Sequence, residues 1–499
     1  MAELTALETS NANSQRLRRY VYLLVIAVAA GSALANILTT TVLYSPARPW
    51  PKHPVHSPMF GANDRSRWVT VWSLVERGTY QIDEIIQEPG WNTIDKGRFR
   101  DHFYSSKPPF LSTIVAGIYW VLKHACGLDL LTKTHETVHV ILLLINWLPW
   151  IVSLGLMAAI GERYARTDLS RVFLIIAAAG GTFLTTFLTT LNNHTIAAFS
   201  VVFALYPTLR ILNDGRRNGV LFALAGFWGA FAACCEIPAA LLGLALFTVL
   251  VRCAPAQVFR WFLPAAVVPL GFFFYTNWLC TGGLMPFYAN FGAANDTFYK
   301  YVYKGVPSYW MNPSPQDVGE SSALVYLFHC TFGHHGIFSL SPIFLLTIAV
   351  WAKLVWQFLL AVVEFARSRF STRSVNPGQL SDSGDRQDSV AHSSRLMSPQ
   401  PLRLIGVMSL VLTIAVLAFY LGRTQSYNYG GNTSGLRWAF WLIPLWLLAF
   451  VPALDEWGDR RWFRIASAVL LMASVSSTTF PHTNPWQQPW IRNVIERAK

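Results

Sequence analysis

Apolar runs about as long as a bilayer is thick recur along almost the whole chain, and no other feature limits its folding so severely. A spanning helix needs roughly 17–25 consecutive apolar residues. The first such run is Tyr20–Tyr44, and others fall near 137–160, 172–190, 195–212, 219–235, 237–251, 261–280, 336–363, 404–421, 438–453 and 462–478. Within hydrocarbon each segment must satisfy its own backbone polar groups, so such runs become helices. Only 13% of the 499 residues are charged, against about 25% in soluble domains. The expectation is an all-α polytopic membrane protein with about eleven transmembrane helices.

One further run, 108–122 ("PPFLSTIVAGIYWVL"), is ambiguous, and charge resolves it. Lys and Arg mark cytoplasmic loops, and the loops 161–171, 210–219, 251–260, 366–374 and 459–464 are all basic. They all fall inside only if 108–122 enters and returns, or lies at the surface; a crossing there would put every one of them outside. Residues 1–19 are then a cytoplasmic N-terminus before an uncleaved anchor, since a secretory signal has a core of only about 7–15 apolar residues. A transmembrane core follows over 20–366, with outer loops 45–107 and 281–335. Residues 367–402 read as a disordered cytoplasmic linker, because 371–400 is Ser-rich and nearly free of large apolar residues. Transmembrane helices over 403–478 and an outer tail, 479–499, complete the chain. The expected location is the plasma or inner membrane.

The net charge of +13 is thus a matter of membrane topology and does not imply nucleic acid. The six cysteines show no metal spacing, and the neighbours Cys234 and Cys235 read as small packing residues. No Gly-rich phosphate loop, zinc spacing or G-x-S-x-G elbow occurs. The pair His334–His335 lacks an acidic neighbour and is a weak metal signal. No cofactor is expected, with a divalent metal left open.

One outer stretch departs from the apolar pattern: "NDRSRWVTVWSLVERGTYQIDE", Asn63–Glu84. Trp68, Val71, Trp72 and Val75 form a helical stripe, while Asp64, Arg67 and Glu76 share the segment. The plain reading is an amphipathic helix on the membrane surface, its charges solvated. The motif content adds to that reading. Asp64 precedes Arg67–Trp68 by three residues, Gly78 and Tyr80 close the helix, and Lys107-Pro108-Pro109 heads the 108–122 run. This pattern resembles the first outer loop of GT-C glycosyltransferases, the superfamily of the protein O-mannosyltransferases and the lipid A aminoarabinose transferase. The resemblance is specific across about 60–125 and diffuse elsewhere, although "YGGNTSGLRWAFWLIPLW" (429–446) is similar to the Gly-rich, Arg-containing junction of such enzymes. Two departures stand out. The family often has two adjacent acids where this chain has Asn63-Asp64-Arg65, and a second acidic position falls in "NNHT", nearest His194.

The resemblance implies an inverting glycosyltransferase that moves a sugar from a polyprenyl-phosphate carrier to an acceptor hydroxyl on the outer face, within the cell envelope. Topology points the same way: an outward-facing transferase cannot use cytoplasmic nucleotide sugars, and a lipid-linked donor crosses without leaving the bilayer. A lipid phosphate leaving group needs cations, and the acceptor hydroxyl needs a base. Asp64 is the candidate catalytic base. Arg67, Lys107, His194, Glu236 and Arg437 are candidate substrate-binding residues. Lys107 sits where the chain meets the membrane, a position that also suits plain interfacial anchoring. Arg437 starts a helix, where a cation is disfavoured unless an anion accompanies it. Glu236 lies between apolar runs, where acids are functional by default, though it also suits a helix's first turn. His194 either holds hydroxyls or caps a helix. The implied partners are the polyprenyl-phosphate-linked donor, membrane lipids and a protein, lipid or glycan acceptor. The competing reading is a multi-pass lipid or sugar transporter or flippase with no covalent chemistry.

Overall fold

A computed structural model describes residues 2–44, 55–290, 296–371, 402–424 and 428–497. Nearly all of the expected linker lies outside them. The apolar runs fold as helices. Among the described residues seven stretches are long and apolar enough to span a membrane: Asn13–Thr39, Thr134–Tyr164, Asn193–Asn213, Pro255–Thr281, Pro342–Arg367, Arg403–Leu421 and Arg437–Trp457. Gly219–Cys235 and Ile237–Cys253 are apolar but shorter. The eleven expected from sequence also include Asp168–Gly180, which has only 13 residues, and Arg461–Thr479, which is rich in Ser and Thr. The six cysteines are free.

The order of the first helices positions everything else. Helix α1 (Ala2–Thr39) packs against the stretch formed by α4 (Thr134–Leu142) and α5 (Leu148–Tyr164). Arg18 pairs with Glu162 at 2.7 Å, whereas the Trp147 indole donates to the Ala30 carbonyl at 2.9 Å. Rising numbers on one helix meet falling numbers on the other, so they run antiparallel. Residues 40–133 therefore leave and re-enter at the same end of this pair. Inside that segment lie α2 (Ala62–Arg77) and α3 (Pro109–Cys126). Single cysteines placed at Gln81 and Lys133 are expected to react with the same membrane-impermeant reagent from the same side; labelling from opposite sides would refute this topology.

Helix α2 is extended backbone at Gly61 before it starts and is stopped by Gly78 in the left-handed conformation at φ 64°. Its stripe packs inward, with Trp68, Val69 and Val71 fully buried. The expectation of a solvated charged face is corrected here: Asp64 and Arg67 are buried too. Glu76 is not a free surface acid either. It accepts from Tyr119 Oη at 2.7 Å and pairs with Lys123, which ties the end of α2 to α3.

Three short antiparallel hairpins, unforeseen in the sequence, fold the loops: β1 (Val42–Tyr44) with β2 (Val55–Ser57), β3 (Lys96–Phe99) with β4 (His102–Ser105), and β5 (Val302–Tyr303) with β6 (Val306–Pro307). The middle one turns through Arg100 and Asp101, both at positive φ. The Arg98 amide donates to the Phe298 carbonyl at 2.9 Å, so the first and second loops dock on each other. Helices α6 (Asp168–Gly180), α7 (Asn193–Asn213), α8 (Gly219–Cys235) and α9 (Ala240–Cys253) complete the part of the bundle beneath them.

Candidate active site

All six residues singled out from the sequence gather at one end of the bundle, where α2, the start of α7, the α8–α9 junction and the Gly-rich 428–437 segment meet. Their arrangement follows from how each segment begins or ends. At the start of α7 the cap is Asn192, whose Oδ1 accepts from the Thr195 amide at 2.9 Å. Capping is thus not the task of His194, and Asn193 and His194 are left to face the neighbouring segments. Asn193 donates to Glu236 Oε1 at 2.6 Å and accepts from the Arg67 guanidinium.

A directed chain links the rest. Arg437 Nη1 lies 2.7 Å from His194 Nε2, and His194 Nδ1 contacts Glu236 Oε1. A guanidinium can only donate. Nε2 is therefore the acceptor, and the imidazole proton sits on Nδ1, the nitrogen in contact with Glu236. Arg437 Nη2 also donates to the Gly430 carbonyl at 2.9 Å. That carbonyl is aimed by a turn in which Gly430 and Gly431 take φ of 97° and 71°, a region that side chains rarely tolerate. A Cβ on Gly430 would also stand 3.2 Å from Arg437 Nε. Burial pushes the Glu236 carboxyl up to about 8, against the pull of Arg437 and Arg67.

Asp64 is wholly enclosed. Its Oδ2 accepts from the Phe60 amide at 3.0 Å and its Oδ1 from the Leu191 amide at 2.9 Å, so it ties the first loop to the turn before α7. Each oxygen keeps a second lone pair. Burial outweighs these bonds and raises the carboxyl to about 7. Arg67, one helical turn on, donates to the Asn63 carbonyl at 2.9 Å. Burial first, and then the charge of Arg437, bring it down to about 10.

Lys107 is held 3.0 Å from Asp95. Its ammonium is lowered to about 8 by burial, with Asp95 opposing and the charges of Arg67 and Arg437 adding to the fall. Three cations, three carboxylates and one imidazole therefore share a largely buried space. The cations come from separate parts of the chain. Two participants were missed in the sequence. Asp95 meets Lys107 only because the β3–β4 hairpin folds between them, and its one signal is the alternation of "KGRF" and "HFYS" around a two-residue turn. Trp486, in the tail, lies with its ring centroid 5.0 Å from the Arg437 guanidinium and against Gly61, where a Cβ would meet the indole at 2.8 Å. Nothing in its local sequence marks it. His334 and His335 pack against the Tyr429 ring, next to the Gly430–Gly431 turn, and no group of three or more His, Cys, Asp or Glu suited to a metal occurs among the described residues.

Among solved structures, ArnT from Cupriavidus metallidurans in the apo state aligns at 12% identity with a TM-score of 0.45, over 90% of this chain and 62% of that one. The Archaeoglobus fulgidus oligosaccharyltransferase in complex with Zn and sulfate aligns at 14% identity and a TM-score of 0.42, over 93% and 53%. The archaeal oligosaccharyltransferase AglB from the same organism, in complex with an inhibitory peptide and a dolichol-phosphate, aligns at 13% identity and a TM-score of 0.33, over 94% and 56%. The chain thus spans between about half and 62% of the length of these proteins. No protein-family model and no curated protein matches it.

Proposed function

We propose that this chain is a GT-C-type inverting glycosyltransferase that takes a sugar from a polyprenyl-phosphate carrier and transfers it to an acceptor hydroxyl outside the membrane. The observation that carries the reading is the convergence of Arg67, Lys107 and Arg437 with Asp64 at one end of a membrane bundle. A lipid phosphate entering from the bilayer would meet cations there, and a carboxylate of raised pKa lies among them. The outward orientation draws support from the opposite end of the bundle, where Arg18, Arg163 and Arg210 collect around Glu162 and Asp214, as cytoplasmic ends do.

In the proposed step the acceptor oxygen bonds to C1 of the sugar as the C1–O bond to phosphate breaks. The acceptor proton passes to Asp64, and the polyprenyl phosphate departs with the electron pair. Displacement from the far side inverts C1. Lys107 and Arg437 hold the phosphate and take up its developing charge. His194 and Glu236 orient Arg437, and Arg67 steadies Asn193 and the Asp64 turn. Purified protein in lipid nanodiscs, supplied with labelled polyprenyl-phosphate sugars, tests the reading by release of polyprenyl phosphate. Binding and movement of the donor without cleavage of any C1–O bond would transfer support to the flippase reading. Mass spectrometry of surface glycolipids and glycoproteins from a deletion strain identifies the acceptor.

A further inference from the structure

On the other side of the first turn of α2 from Asp64 lies a cleft. The cleft, of about 400 Å³, opens between the first loop and the β5–β6 hairpin of the second. That volume falls within the roughly 300–1,000 Å³ usual for small-molecule sites. Its walls include Phe103, Tyr301, Tyr303 and Tyr309, and its cations are Arg65 and Lys96. No Asp or Glu lines it among the described residues.

The aromatic wall is preorganised. The β5–β6 turn passes through Lys304 and Gly305 at φ of 49° and 78°, the pair of positive angles that matches the twist of a tight hairpin. Ser308 anchors its return by donating to the Tyr299 carbonyl at 2.6 Å. Phe103 stands edge-on to Tyr303 at 5.0 Å between centroids and tilted against Tyr301 at 5.6 Å.

Lys96 is the unusual member. Its ammonium donates to Asn92 Oδ1 at 2.5 Å and lies 5.2 Å from the Phe103 ring centroid. Among the described residues it makes no salt bridge, and burial alone lowers it to about 8. A half-buried cation without a counter-charge is a costly arrangement that an anionic ligand would relieve. The two sites diverge at the entry to β3: Asp95, just before the strand, pairs with Lys107, and Lys96, its first residue, lines the cleft. Helix α2 divides likewise, with Asp64 and Arg67 on one face and Ala62 and Arg65 on the other.

Taking the proposed transferase activity as the premise, we infer that this cleft binds an acidic saccharide unit of the acceptor, with Lys96 on its anionic group and the tyrosine wall against its ring. The apolar C–H faces of a sugar ring pack on aromatic rings, and an ammonium forms charge-assisted bonds to a carboxylate. Binding of a remote unit behind the first turn of α2 would hold the acceptor chain close to Asp64.

The test uses three probes on the full chain in nanodiscs: a glucuronic-acid-containing tetrasaccharide, its carboxyl-reduced neutral counterpart, and glycerol 3-phosphate as a lipid headgroup fragment. The acidic tetrasaccharide is expected to bind at least tenfold more tightly than the neutral one. Lys96→Gln should abolish that preference and Lys96→Arg should keep it, with thermal stability and polyprenyl-phosphate-sugar binding unchanged in both. Equal affinity for the two tetrasaccharides, binding of neither, or a preference that survives Lys96→Gln would overturn the inference. So would glycerol 3-phosphate displacing the acidic tetrasaccharide at equal concentration, which would make the cleft a headgroup site. A cleft that passes these tests in a protein that fails to cleave any lipid-linked sugar would leave the binding site standing and remove the transferase reading.

Discussion

Asp64→Asn is expected to reduce sugar transfer by about 10²–10⁴-fold, the usual worth of a general base, while donor binding and expression persist. The substitution keeps the shape of the side chain, and the amide oxygen still accepts from one of the two backbone amides. The other, Phe60 or Leu191, then faces an NH₂ group, so a moderate loss of stability accompanies the change. Melting temperature therefore has to be followed with activity. Glu88 is a suitable control, being exposed on the same loop; Glu76 is not, because it ties α2 to α3. The pH dependence separates a base from a structural acid. Asp64 acts only when ionised, and its carboxyl is raised to about 7, so kcat/KM should rise with pH through about 7. It should fall again as Lys107, lowered to about 8, loses its proton and with it the attraction for phosphate. The acid limb should vanish in Asp64→Asn. Near-full transfer by that variant, or an unaltered acid limb, would remove Asp64 from the chemistry.

Part of this site was legible because its determinants are local. The stripe from Trp68 to Val75, the stop at Gly78 and the Lys107-Pro-Pro start each depend on a few neighbouring residues, and each produced the expected helix start or end. Asp64, Arg67 and Lys107 stand out through the spacing of a local motif, and Glu236 as an acid between apolar runs, where the cost of a charge is visible before folding. What was not legible depends on long-range contact. Asp95 was one acid among several in its loop until a hairpin set it beside Lys107. Glu76 was read as solvated, and its partners Tyr119 and Lys123 lie more than forty residues away. The cleft needs two loops separated by about two hundred residues to meet, and no periodicity in either reports the other. Amphipathic patterning shows which face of α2 is apolar, but not that the polar face would be buried as well.

Neutralising either phosphate-site cation is expected to weaken donor binding strongly, and the two cations fail in different ways. Arg437→Ala removes a side chain held by Gly430 and His194. Losing one partner of a buried, hydrogen-bonded charge pair costs about 2–5 kcal/mol, so affinity for a polyprenyl-phosphate sugar should fall at least roughly 30-fold. Arg437→Lys should recover only part of this, since a compact ammonium lacks the planar fork that lets a guanidinium meet His194, Gly430 and a phosphate on separate nitrogens. Lys107→Ala is ambiguous alone, because it also strands Asp95 without a counter-charge, and a drop in binding could reflect a damaged fold. The double variant Lys107→Ala/Asp95→Asn removes both charges and restores local neutrality. If Lys107 holds phosphate, the double variant regains stability but not donor affinity. If it recovers wild-type affinity, Lys107 serves only as the counter-ion of Asp95, and the phosphate site contracts to Arg437.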